Sequence, residues 1–170
     1  LAFATVRLGQ TSFPELAASM GKVVAMSSTM KVSQEEVFGA MATLTGVTGN
    51  TAEVATQLQG VIKGFLQPSD AMARALDKMG YESGQAMLHA LGLQGSLMAL
   101  KKSVNGNDVA FSEFFGDVTA KTAVLSLAGS QAENFINKTA EMYEATGAAN
   151  TAFERQTNTL AYDIQMIKNL

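Results

Sequence analysis

Few side chains in this sequence are equipped for chemistry. His89 is the only histidine among 170 residues, and there is no cysteine. A Ser–His–Asp triad would have to use His89 as its base. The Gly-x-Ser-x-Gly turn that presents a nucleophilic serine is absent. His89 lies among Met87, Leu88 and Leu91, where a lone histidine is expected to be structural rather than a ligand or base. The missing cysteines exclude a disulfide framework, cysteine-based zinc sites and a thiolate nucleophile. Glu113, Asp117 and Lys121 stand four residues apart, a spacing that could pair two carboxylates. Gly116 falls between them and is expected to break the helix, leaving surface charges at helix ends. Asn105-Gly106-Asn107-Asp108 has the beginnings of a calcium loop but lacks the alternating oxygen ligands and the closing glutamate. Lys101-Lys102 is the only adjacent basic pair and reads as a solvated helix end. With a net charge of −3 the chain has no basic surface for nucleic acid, so no sequence-specific nucleic-acid partner is expected. The sequence therefore assigns no catalytic, cofactor-binding or metal-ligating residue, and a non-enzymatic role is expected.

Helices dominate what remains. Charged residues make up only 16% of the chain, tryptophan is absent and there are two prolines. Strand formers do not cluster, so the expected class is all-α. The organising stretch runs from Thr51 to Gly80. Val54, Leu58, Val61, Ile62, Phe65 and Leu66 fall on one face of a helix, with Glu53, Gln57 and Lys63 off it. Pro68 forces Gln67 out of the helical region. Ser69 or Asp70 caps a second helix with Met72, Leu76 and Met79 inward. Gly80 ends it, and Tyr81 is placed to fold back on Leu76. Gly60 and Gly64 form a close-approach pair expected to mark tight packing.

Elsewhere Leu1 to Leu8 reads as a helix end. Ser12 with Glu15, Ser33 with Glu36, and Ser130 with Glu133 have the spacing of capping boxes. Leu16, Met20, Val23 and Ser27 make one stripe, and Val37, Met41 and Leu44 another, with Val32 and Val37 stapling the second entry. Gly46 and Gly49 are expected to turn the chain into the central hairpin, with Asn50 or Thr51 as cap. A short helix around Met87 to Leu91 is interrupted near Gly92, where Gly92 to Ser96 reads as a loop. Leu97, Leu100 and Val104 carry a second short helix. Residues 83–100 carry no fixed charge over about the length of a membrane span, but their glycines and glutamines argue against one. Asp108 is expected to cap a helix through Phe115. Most of the ten methionines share register with other apolar positions, which favours core filling over an adaptable binding surface.

Several of these stretches, in this order, resemble the core region of phage tail tape measure proteins. They are Phe13-Pro14-Glu15-Leu16, Val32-Ser33-Gln34-Glu35-Glu36, Thr56-Gln57-Leu58 followed by Gly60 to Leu66, Pro68 and Met79-Gly80-Tyr81, and Phe114-Phe115-Gly116 before Ala120 to Leu127. Lys31 and Tyr81 depart from the family's glycine and small aliphatic residue. The resemblance implies a structural role: scaffolding the tail tube, setting tail length and leaving during DNA ejection. It further implies tail tube and tail assembly chaperone proteins as partners, a homo-oligomer in the full-length protein, and membrane contact during ejection. The implied location is the lumen of the tail tube in the virion, and the host cytoplasm during assembly. A membrane-active module, or the non-catalytic part of a tail-associated cell-wall hydrolase, stand as alternatives.

The expected architecture is a compact multi-helix core module over 1–130, of short helices joined by Gly/Pro turns, and longer C-terminal helices over 131–170. The chain reads as a piece of a longer protein. Ile136, Thr139, Tyr143, Thr146, Asn150, Phe153, Thr157, Leu160, Ile164 and Ile167 keep a heptad phase. A break at 147–150 is expected, because Gly147 weakens a helix interior and Thr151 with Glu154 offers a fresh box.

Overall fold

The computed structural model describes residues 1–148, and among them every regular element is helical. The order is α1 (Ala2–Leu8), α2 (Phe13–Thr29), α3 (Gln34–Thr48), α4 (Thr51–Leu66), α5 (Asp70–Lys78), α6 (Gly84–Ser103), α7 (Asp108–Ser112) and α8 (Val118–Leu125). A π-helical turn (Ser126–Ser130) leads into α9, which is helical over 132–148. The expected helix over 151–170, with Phe153, Leu160, Ile164 and Ile167, lies outside the described residues.

α4 sits at the centre, packed against α2, α3, α6 and α8. Val54, Leu58, Val61, Ile62 and Phe65 are all at most 1% exposed, as the periodicity requires. Two residues of this helix depart from the expected faces. Leu66 is exposed, because the chain turns away at Gln67 before another helix can cover it. Gln57 is buried at 3%, since a helix walled in on several sides has little polar face left. Its amide donates to Glu53 Oε1 at 3.2 Å, so the buried donor is satisfied.

The glycine pair on α4 makes the closest joint. A Cβ on Gly60 would stand 3.1 Å from Ala120 Cβ, and one on Gly64 would stand 2.6 Å from the Phe115 ring. Phe115 in turn meets Phe65 edge-on at 5.8 Å and Phe111 at 6.1 Å. Bare backbone on α4 is what lets this aromatic cluster seat against it.

The α4–α5 hairpin closes as the sequence predicts. Gln67 leaves the helical region before Pro68. Ser69 Oγ accepts from Met72 N at 3.2 Å and donates to the Phe114 carbonyl at 3.0 Å, tying α5 to the segment after α7. At the other end Gly80 adopts φ 80°, which only glycine takes without strain. Gly80 N then reaches Asp77 O at 3.0 Å and Tyr81 N reaches Leu76 O at 2.9 Å, the paired bonds of a Schellman end.

Local caps are distributed as follows. Glu15 accepts from Ser12 N at 2.9 Å and Ser12 Oγ at 2.7 Å. Asn50, Ser69 and Ser83 each accept a backbone N–H at a helix start. Four expected ends move. α3 runs through Gly46 and stops at Gly49. Asn107, not Asp108, caps α7, which ends at Ser112 rather than Phe115. The chain enters α9 through the π turn, with Phe135 N bonded to Gln131 O at 2.8 Å, in place of a cap at Ser130.

The methionines follow the core reading: Met20, Met30, Met41, Met72, Met87 and Met142 are buried, Met79 is half-buried and Met98 is exposed. No helix among the described residues is long and apolar enough to cross a membrane.

Candidate functional site

His89 is exposed on α6, so it is not a core histidine. Glu113 is exposed just beyond α7, and Lys121 is half-buried on α8. Asp117 is the N-cap of α8: its Oδ1 accepts from Thr119 N at 2.8 Å and from Thr119 Oγ1 at 2.6 Å. The Thr119 hydroxyl, then its N–H, hold the Asp117 carboxyl below its ordinary 3.8, with smaller help from Ala120 N and Lys63. A carboxylate held in the charged form is a cap, not a proton donor. Its contribution is present above the unfolded pKa and is lost as pH falls from 3.8 through the lowered value. Asp117→Asn is therefore expected to flatten the acid limb of a pH–melting curve below about pH 4 and to lower melting slightly at neutral pH, where the charged cap contributes. Parallel acid limbs for the two proteins would count against this role.

Lys101 is not the solvated helix end the sequence suggests. Its Nζ donates to Ala128 O at 2.8 Å and pairs with Asp108 at 3.1 Å, with the side chain 19% exposed. It clamps the last turn of α6 to the π turn. Gly92 to Ser96 is likewise not a loop but the kink and first turn of the second half of α6.

The polar centre of the module is Glu36. Ser33 Oγ caps Glu36 N at 3.2 Å, the local half of the expected box. The glutamate side chain does not accept from Ser33 N, although its Oε2 takes a long 3.4 Å bond from Ser33 Oγ. It reaches across to α6, where Oε2 accepts from Leu93 N at 2.9 Å and Oε1 from Gln94 N at 2.9 Å. Gly92 (φ 70°, ψ 179°) breaks α6 there and frees those two amides. Glu36 is 7% exposed, so a buried carboxylate on α3 serves as the cap of a half-helix far along the chain. A Cβ at residue 92 would lie 2.7 Å from Glu36 Oε1, so glycine is required for space as well as for backbone angle. The sequence offers one signal for this bond, a glycine interrupting an apolar periodic run.

A second joint fastens α9 to α3 and α1. Going along α9, Lys138 Nζ donates to Ala42 O at 2.9 Å, Tyr143 OH meets Ser33 Oγ at 3.0 Å and Thr146 Oγ1 donates to Glu35 Oε1 at 2.9 Å. Partner numbers drop from Ala42 at Lys138 to Ser33 and Glu35 at Tyr143 and Thr146, so α9 runs antiparallel to α3. Gly39 admits Thr139 into direct backbone contact. Thr139 is buried and its Oγ1 has no hydrogen-bond partner among the described residues. Burial lowers the Lys138 pKa from 10.5, with Glu141 opposing. Arg7 pairs with Glu141 at 2.9 Å and Thr5 Oγ1 lies 3.9 Å from Met142 Sδ. The buried seam of α9 is thus Phe135, Thr139 and Met142, while Ile136 and Tyr143 of the expected heptad face are 44% and 51% exposed.

Among the described residues no group of three or more His, Asp or Glu is placed to hold a metal ion. Among the described residues Glu36, Lys101 and Lys138 join helices remote in sequence. The fold is an all-helical module. Residues 1–117 match the family of phage-related minor tail proteins, and the chain belongs to that family. Its role is a structural one in a phage or prophage tail. Comparison with curated proteins and with solved structures finds no match.

Proposed function

We propose that this chain is the core region of a tape measure protein, a non-catalytic helical module attached to the part that sets tail length. The observation that carries this reading is the order of four stretches: Phe13 to Leu16, Val32 to Glu36, Thr56 to Tyr81, and Phe114 to Gly116. All four begin within the residues that match the minor tail family. Each is also a joint of the fold: the start of α2, the start of α3 with Glu36, the α4–α5 hairpin, and the aromatic seat against α4. A helix advances about 1.5 Å per residue, so an extended helical chain makes a ruler. A turn-rich module of short helices does not, which favours a compact module attached to the ruler over the ruler itself. Its proposed partners are the tail tube and tail assembly chaperone proteins, its location the tube lumen, and its full-length state a homo-oligomer.

The test uses the intact phage gene. Helical insertions outside this module are expected to lengthen tails by about 1.5 Å per added residue, read by electron microscopy. Leu58→Ala within the module should instead lower the number of tails at constant length. Insertions that leave tail length unchanged would remove the tape measure reading.

A further inference from the structure

An apolar groove of about 340 Å³ lies between α5, the end of α6 and α7. Ala75, Met79, Val104 and Phe114 floor it. Arg74 and Lys78, one turn apart on α5, form one wall and are exposed. Neither has an ion-pair partner among the described residues, whereas Arg7 and Lys101 do. Glu113 stands in the wall together with α7, exposed, and Val109, one turn before it, is 71% exposed. Neither cation makes a hydrogen bond or ion pair among the described residues: α5 is held by Met72 and Leu76 on its other side and by the Ser69 and Gly80 ends.

We propose that this groove docks an acidic amphipathic helix of a partner protein. An apolar side chain of the partner fills the floor, and carboxylates one turn apart on it meet Arg74 and Lys78. The complementarity is of spacing as well as sign, since residues four apart on one helix face residues four apart on another. The lysine and arginine stems extend the apolar floor, while their charged heads stay in water until the partner arrives. Glu113 repels a carboxylate from its own side and so fixes which way the acidic row faces. Exposed rim charges act on partner choice and association rate more than on raw affinity, so the binding is salt-sensitive. The proposal does not depend on the tape measure reading.

The test is fluorescence anisotropy with two labelled synthetic helical peptides of about 15 residues, long enough for an isolated helix to begin to form. One carries leucine on its apolar face with glutamates four apart; the other has lysine in place of each glutamate. Saturable binding of the glutamate peptide, at least about tenfold tighter than the lysine peptide, is expected. Arg74→Glu with Lys78→Glu should reverse that preference, and Arg74→Gln with Lys78→Gln, which keeps good helix formers on α5, should abolish it. Circular dichroism of each variant checks that the fold is retained. Equal binding of the two peptides, no saturable binding, or indifference to both pairs of substitutions would overturn the proposal. Sedimentation that shows self-association abolished by either pair would assign the groove to a second copy of this chain, and would overturn it too.

Discussion

Leu58→Ala is expected to lower stability by about 2–5 kcal/mol and the melting temperature on the order of 10 °C. Leu58 is 1% exposed on the helix that four others surround, so the cavity left by truncation has little freedom to collapse. Thermal unfolding followed by circular dichroism measures it. The comparison residue must lie on the exposed side. Gln57, which its polarity would suggest, is itself buried and donates to Glu53, so Gln57→Ala is expected to cost stability as well. Thr56 is exposed and bonds only back to Ala52 O. Thr56→Ala should stay within about 0.5 kcal/mol of the parent. If Leu58→Ala and Thr56→Ala melt together, α4 is not the centre of the core.

Glu36→Ala is expected to cost about 3 kcal/mol. The substitution removes two charge-assisted hydrogen bonds and strands the N–H groups of Leu93 and Gln94 at a break in a packed helix. Glu36→Gln keeps one carbonyl acceptor and presents an NH₂ where the second acceptor stood, so it should fall between the parent and Glu36→Ala. Urea unfolding gives both values. A loss under about 0.5 kcal/mol for Glu36→Ala would mean that water or rearrangement satisfies those amides, and that the bond to α6 contributes little.

What the sequence reveals about this fold follows the range of the interactions. Caps and stripes are local. Ser33, Asn50 and Ser69 announce helix starts because each acceptor lies three residues from the amide it bonds. Leu16, Met20, Val23 and Ser27 announce a buried face because one helix period relates them. The Schellman end at Gly80 is legible for the same reason. Glu36 is not. Its spacing to Ser33 fits a capping box, and only tertiary placement brings Leu93 and Gln94 near enough to outcompete the local donor. Gln57 misleads because a polar side chain is normally evidence of an outward face, a rule that fails for a helix enclosed on several sides. The α9 face keeps Thr139 of the heptad pattern but buries Phe135 and Met142 in place of Ile136 and Tyr143, since Gly39 on α3 admits Thr139 and sets the rotation of the helix. As for chemistry, the spacing of Glu113 and Asp117 predicts charges at helix ends, and they lie between α7 and α8. The joints that do use polar groups were not, because their partners are remote in sequence.

The fastening of α9 to α1 has a consequence for the order in which the protein is made. Thr5 and Met142 are 137 residues apart. At a synthesis rate of about 5–20 residues per second, α1 waits on the order of ten seconds before the helix that covers it leaves the ribosome. During that interval Ala4 and Thr5, both buried in the finished module, have no lid. α2 to α6 can already assemble around α4, because the Glu36 bond to α6 spans fewer than half as many residues. Within this module α1 is thus among the last helices to be sealed, and a nascent chain passes through a stage with an assembled centre and an uncovered α1.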